Sequence, residues 1–242
     1  MAKTADQHRR IQKQVARADR RLPQQTAKGA MQAGARHYPE PPFPKQHMSK
    51  PGQEALLEPQ PLYGAPFYQG SGKLRGLVAL ITDSGIGRAV AVLFAREGAD
   101  IAIVYLDEHA DAKATKAAVE REGRKCLLIA GDVSKRKFCF DAVKKTAAEF
   151  GRRDVLVNNA AFQLHVSRFE DLTEAHFDKT LKTNLYGYFH MAQAAVPQMK
   201  YGSAIVNTVS TAMPQFEIDT PLTVPGLLTG RSTFDQDIFR FR

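Results

Sequence analysis

Five short apolar runs, each followed by helical periodicity, constrain this chain more than any other feature. They are LVALIT (77–82), IAIVY (101–105), CLLIA (126–130), DVLVNNA (154–160) and SAIVNTV (203–209). Runs apolar at consecutive positions suit strands covered on both faces, as parallel sheets require. Between them, 85–97 places Ile86, Val90, Leu93 and Phe94 on one helical face, 108–122 is closed by Gly123, and 135–150 reads as a third helix. Thr173 caps a long helix running to about Met199. Helical crossovers of this length join parallel strands in the right-handed sense. The expected fold class is α/β, a doubly wound parallel sheet. It reads as incomplete on the C-terminal side, because residues 211–242 hold three prolines and no sustained period.

The flanks divide the chain further. Residues 1–37 form a basic tail, disordered or partly helical, and 38–72 a Pro-rich extended arm. Residues 73–210 form the sheet domain and 211–242 a divergent tail. The net charge is +9, but residues 1–50 carry 11 basic and 3 acidic side chains, a local charge of +8. The sheet domain is therefore nearly neutral, and nucleic-acid binding by it is not implied. Within the tail, Ile11, Val15, Ala18 and Leu22 share one helical face. Such a helix suits an anionic surface, but four modest apolar residues bury little area, so a solvated tail is the reading preferred. Eight of thirteen prolines lie between Pro39 and Pro66, alongside Tyr38, Phe43, Tyr63, Phe67 and Tyr68. Prolines favour extended backbone, and five aromatics predict an arm lying on a folded surface, its own or a partner's.

The two cysteines, Cys126 and Cys139, stand in apolar surroundings without a CxxC or metal-type spacing. Reduced thiols in a cytoplasmic protein are expected. No apolar run reaches the length of a membrane span, and the N-terminus lacks a signal-type apolar region.

Thr82-Asp83-Ser84-Gly85-Ile86-Gly87-Arg88 joins the first strand to its helix. A strand, a glycine turn and a helix N-terminus make an anion site: backbone N–H groups point outward and the helix dipole favours phosphate. Gly85 and Gly87 let a pyrophosphate approach the backbone. In this βαβ setting the loop reads as the dinucleotide site of a Rossmann-like domain.

The run ITDSGIGRAVAVLFAREGADIAIVY, then GDV (131–133), DVLVNNAA (154–161), TNLYGYF (183–189) and SAIVNTVS (203–210), resembles the short-chain dehydrogenase/reductase family. YPEPPFPKQ…PG (38–52) is similar to the N-terminal extension of a bacterial subgroup, itself similar to glucose/ribitol dehydrogenases and aldehyde reductases. The resemblance covers about residues 38–210. It implies an NAD(P)-dependent oxidoreductase acting on alcohol or carbonyl groups, with NAD or NADP as cofactor and an alcohol, aldehyde or ketone as substrate. It places Thr82, Ser84, Gly85, Ile86 and Gly87 at the pyrophosphate and Tyr105 at the adenosine ribose. Asp132 and Val133 fall at the adenine, and Asn158, Ala160 and Ala161 beside the adenine ribose. Asn184 matches the catalytic-helix Asn, which kinks the helix and holds a relay water. Ser210 matches the catalytic Ser. Read from the residues alone, Asp132 could instead cap a helix, Asn158 sit in a turn, and Ser210 be a loop hydroxyl.

The chain departs from the family in three places. The glycine loop is two residues short, at most about 7 Å of chain, and lacks its first Gly. Asp83 stands there instead, a carboxylate that opposes phosphate. The family's Tyr-x-x-x-Lys pair supplies the proton and grips the nicotinamide ribose. The corresponding positions are Thr223 and Leu227, and no Tyr follows Tyr201 and no Lys follows Lys200. The strand-end carboxylate that selects NAD is replaced by Tyr105, leaving NAD and NADP open. Three functions follow: an oxidoreductase impaired in this chain; a truncated or frameshifted relative that binds nucleotide weakly; or a partner-binding protein using the tail and arm. The missing C-terminal elements predict an exposed edge on the fifth strand and impaired family-type homo-oligomerisation.

Overall fold

Strands form where the apolar runs place them: β1 (Val78–Thr82), β2 (Asp100–Tyr105), β3 (Cys126–Ala130), β4 (Val155–Asn158) and β5 (Ala204–Asn207). The structure is a computed structural model and describes residues 2–19, 39, 43–46, 48–49, 52–82, 85–164, 166, 168–209 and 238–240. All five strands run parallel, in the order β3-β2-β1-β4-β5. The chain winds outward from β1 to β3, then returns to the other side of β1. The crevice between the ends of β1 and β4 is thus the switch point where open α/β sheets bind ligands.

Successive strand residues point to opposite faces, so each strand feeds two cores. On one face Leu80, Ala102, Val104, Leu156 and Ile205 pack with Ala142 and Val143 of α4 (Arg136–Phe150) and Met191 and Ala194 of α6 (Gly187–Ala195). On the other, Ala79, Ile81, Ile101, Ile103 and Val157 meet Ala91 and Ala95 of α2 (Ile86–Arg96) and Val119 of α3 (His109–Arg121). The long helix begins as expected: the Thr173 hydroxyl accepts from His176 N at 3.2 Å and opens α5 (Glu174–Leu181). A π-helical turn, Lys182–Tyr186, separates α5 from α6.

Two expectations are corrected. The far edge of β5 is not bare: β6 (Ile238–Arg240) runs antiparallel along it, pairing Ile238 with Val206 and Arg240 with Ala204. Nor is the basic tail a solvated helix. In α1 (Ala2–Asp19), Ala5, His8, Ile11 and Val15 are buried, the last two in a cluster with Phe162 and Val166. Lys3, Arg9, Arg10, Lys13 and Arg17 stay exposed on the other faces. Leu22 lies outside the described residues.

The arm lies on its own domain. Arg96, at the end of α2, donates to the carbonyls of Ala65 at 2.8 Å, Gly64 at 2.9 Å and Tyr68 at 3.1 Å. The Glu97 carboxylate accepts from Lys73 N at 2.9 Å, Ser71 N at 3.0 Å and the Tyr68 hydroxyl. The Tyr68 hydroxyl first, and the backbone donors after it, draw this carboxyl down to about 2. Tyr63 supports the Arg88 guanidinium, 5.1 Å from its ring centroid. Phe43 and Phe67 remain exposed. Tyr38 lies outside the described residues.

Candidate dinucleotide site

A cavity of about 610 Å³ opens at the C-terminal ends of β1 to β4. Gly85, Ile86, Arg88 and Ala89 form its α2 wall. Tyr105, Leu106 and Glu108 line it beyond β2, and Gly131, Asp132 and Val133 beyond β3. Ala160, Ala161, Phe162 and Gln163 follow β4, with Lys179 and Thr183 beneath them. The arm, from Gln53 to Tyr63, and His8 of α1 close it from above.

Local backbone explains the shape. Gly85 caps α2 with φ +74°, a left-handed conformation that costs glycine little. At Gly131 a Cβ would stand 2.0 Å from a Phe138 ring carbon, so any larger residue where the chain turns out of β3 into the cavity would displace that ring. Gly87 sits buried in the first turn of α2 and does not line the cavity.

Asp132 is held by three neighbours. Its carboxylate accepts from Thr4 Oγ1 of α1 at 2.8 Å and from Ser134 N at 2.9 Å, with Lys179 Nζ 4.0 Å away. Burial pushes this carboxyl up, but Lys179, Ser134 and Thr4 outweigh it, and the carboxyl is held below its ordinary value. Burial moves the Lys179 ammonium down, against the pull of Asp132. Val133 packs against α6 where Gly187 would otherwise carry a Cβ, 3.0 Å from Val133 Cγ2.

The other sequence candidates fall into two groups. Tyr105, at the end of β2, reaches His109 Nδ1 with its hydroxyl at 3.0 Å, and with Gly85, Ile86, Asp132, Val133, Ala160 and Ala161 it shares the cavity. Thr82 and Asn158 stand behind it. The Thr82 hydroxyl accepts from the backbone N of Asn159 at 2.8 Å and Ala160 at 2.9 Å, tying the ends of β1 and β4 together. Asn158 donates to Asn207 Oδ1 at 2.9 Å and links β4 to β5. Asn184 occupies the π-helical turn. Its side chain accepts from Phe162 N at 2.8 Å and donates to Phe162 O at 3.0 Å. Ser84 and Ser210 lie outside the described residues.

Glu54, Lys179, Thr183 and His8 belong to the cavity although no motif in the sequence marked them as site residues, and Tyr63, expected only as an anchor of the arm, joins them. Lys179 and Thr183 are four apart and so share a helical face, a weak signal the sequence did carry. Nothing in the spacing of Glu54 or His8 points to a site.

Cys126 and Cys139 are buried thiols, and burial, then Asp132, pushes that of Cys139 up to about 12. Among the described residues no helix is long and apolar enough to cross a membrane.

Comparison with known proteins agrees with this geometry. The family described as enoyl-(acyl carrier protein) reductase matches residues 80–219. General stress protein 39 of Bacillus subtilis is 53% identical over 171 residues, 69% of this chain and 60% of its own length. NADPH-dependent aldehyde reductase 1 of Arabidopsis thaliana is 41% identical over 174 residues, again 69% of this chain and 60% of its own. The chain thus spans about three fifths of the length of these curated relatives. Among solved structures, a xylitol dehydrogenase with bound NAD+ superposes with a TM-score of 0.56 at 30% identity, covering 59% of this chain and 57% of that one.

Proposed function

Since this chain belongs to the short-chain dehydrogenase/reductase family, we propose that its cavity takes NAD or NADP and that its chemistry is hydride exchange with an alcohol or carbonyl group. The observation that carries this is the convergence on one cavity of the α2 N-terminus at Gly85, the β2 end at Tyr105 and the partly buried Asp132 carboxylate. The residues fit the group: a helix N-terminus for the pyrophosphate, a carboxylate to accept from the adenine amino group, and Ala160 and Ala161 leaving room beside the ribose. Bound there, the dinucleotide supplies or accepts the hydride. Asn184 holds the Phe162 segment, and by its match to the family's catalytic Ser, Ser210 is the hydroxyl proposed to bond substrate oxygen.

Turnover in these 242 residues is proposed to be weak. Thr223 and Leu227 stand where the proton-handling Tyr and Lys belong, and neither can supply the proton. The glycine loop, two residues shorter than the family's and carrying Asp83, is a further reason to expect weakened binding. The name of the xylitol dehydrogenase and that of the aldehyde reductase favour polyols and aldehydes as the substrates to try. Titrating NADH fluorescence tests the binding. Saturation is expected, weakened in Asp132→Asn, and the absence of saturable binding at millimolar cofactor overturns the reading.

Two further placements rest on the same reading. Buried thiols suit the cytoplasm. Exposed Phe177, Leu185, Tyr186, Phe189 and Val196 make the outer side of α5 and α6 a self-association face. Partial assembly or aggregation is expected by light scattering, and a monodisperse tetramer would contradict impaired assembly.

A further inference from the structure

We propose that the Pro-rich arm sets the cofactor preference, making the cavity select NAD over NADP through a carboxylate cluster to which the arm contributes Glu54. The inference rests on the dinucleotide reading above. NADP differs from NAD by a phosphate on the adenosine ribose, whose hydroxyls sit at the end of β2, and an arginine nearby is what commonly accommodates it. Here the nearby arginine is Arg88, and its guanidinium is already engaged. Nη1 stands 3.0 Å from the Glu54 carboxylate and Nη2 3.3 Å from that of Asp111. Nε donates to Thr115 Oγ1 at 3.0 Å and Nη2 to Asp111 O at 3.1 Å, with the guanidinium over the Tyr63 ring. Arg88 is only 5% exposed.

The arm is fixed in this position. The backbone N of Glu54 donates to Asp111 Oδ2 at 2.8 Å, at the start of a short helical turn, Glu54–Leu56. Arm and α3 thus clasp Arg88 between two carboxylates. The charge balance of the wall follows. Among the described lining residues the carboxylates are Glu54, Glu108, Asp111 and Asp132, and the permanent cations are Arg88 and Lys179. Lys179 faces Asp132, leaving none for the ribose end. Asp107, between the lining residues Leu106 and Glu108, adds another carboxylate nearby, with Arg9 of α1 4.0 Å away and already paired to Asp6 at 3.0 Å, and His109 at 3.7 Å. A ribose hydroxyl can donate to such a wall, whereas a phosphate dianion meets like charge.

The test is parallel titration of the 242-residue protein with NADH and NADPH, at fixed ionic strength. NADH is expected to bind at least about tenfold more tightly. In Glu54→Gln, which removes one carboxylate from Arg88, the ratio is expected to fall by about threefold or more. Asp111→Asn is the second variant should the first fail to fold, as judged by circular dichroism. Equal or tighter NADPH binding overturns the preference while leaving the dinucleotide reading intact. An unchanged ratio in a folded variant overturns the role of the arm. Binding of neither cofactor defeats the dinucleotide reading and this inference with it.

Discussion

The two ends of the cavity are built to different degrees. At the end proposed for the adenosine, three charged groups have partners from other elements: Asp132 holds Thr4 of α1, Arg88 is clasped by the arm and α3, and Lys179 faces Asp132. At the other end Asn184 is in place, yet the residues thirteen and seventeen positions after Ser210 are Thr223 and Leu227. On the proposed function, holding a dinucleotide and handling a proton are thus separable in this chain. The first depends on strands β1 to β4 and the turns behind them. The second depends on groups carried further along the chain.

Changes at the floor shared by both ends should do most damage. Leu156 in β4 is fully buried, and Leu156→Ala should cost about 2–5 kcal/mol, read by denaturant unfolding. A loss below about 1 kcal/mol would mean that β4 does not support the two ends together. Asn184→Ala comes next. It strips both side-chain bonds from the Phe162 backbone and should cost about 1–3 kcal/mol. NADH affinity should change far less than stability, because Asn184 stands behind the cavity wall.

Asp132→Asn should act in the opposite sense, weakening NADH binding by about tenfold, as expected for a lost charge-assisted hydrogen bond. It should also alter the acid response. Burial raises this carboxyl, but Lys179, Ser134 and Thr4 hold it net below its ordinary value of about 4. The folded value being the lower one, its contribution is full above that ordinary value and lost as pH falls through the folded one. Unfolding curves between pH 5 and about 2 should therefore fall less steeply in Asp132→Asn; identical slopes would contradict the assignment. The smallest effect belongs to Thr4→Val, about 0.5–1.5 kcal/mol, visible as faster tryptic cleavage within α1 with the domain still folded.

The pattern of what could be read from sequence follows the same division. Strands β1 to β5 announce themselves because a strand buried on both faces must be apolar at every position. Gly85 was legible because a strand–helix turn fixes its place, and Asp132 through the resemblance of the GDV run to the family, since from the residues alone it could have been a helix cap. The docking of α1 was not legible. His8 and Ala5 add little to an apolar stripe, and the receiving Phe162 lies more than 150 residues away. Glu54 was invisible for a related reason: a carboxylate in a Pro-rich arm gains meaning only once the arm lies over Arg88. The antiparallel β6 escaped notice because three residues carry no period.

The most direct measurement follows NADH oxidation with an aldehyde at high protein concentration, in a preparation whose NADH binding has been titrated. The predicted result is saturable binding with turnover about 10²–10⁴-fold below that of a relative bearing the complete Tyr-x-x-x-Lys pair, the usual contribution of a positioned general acid. Turnover within tenfold of that relative would contradict the separation of the two ends.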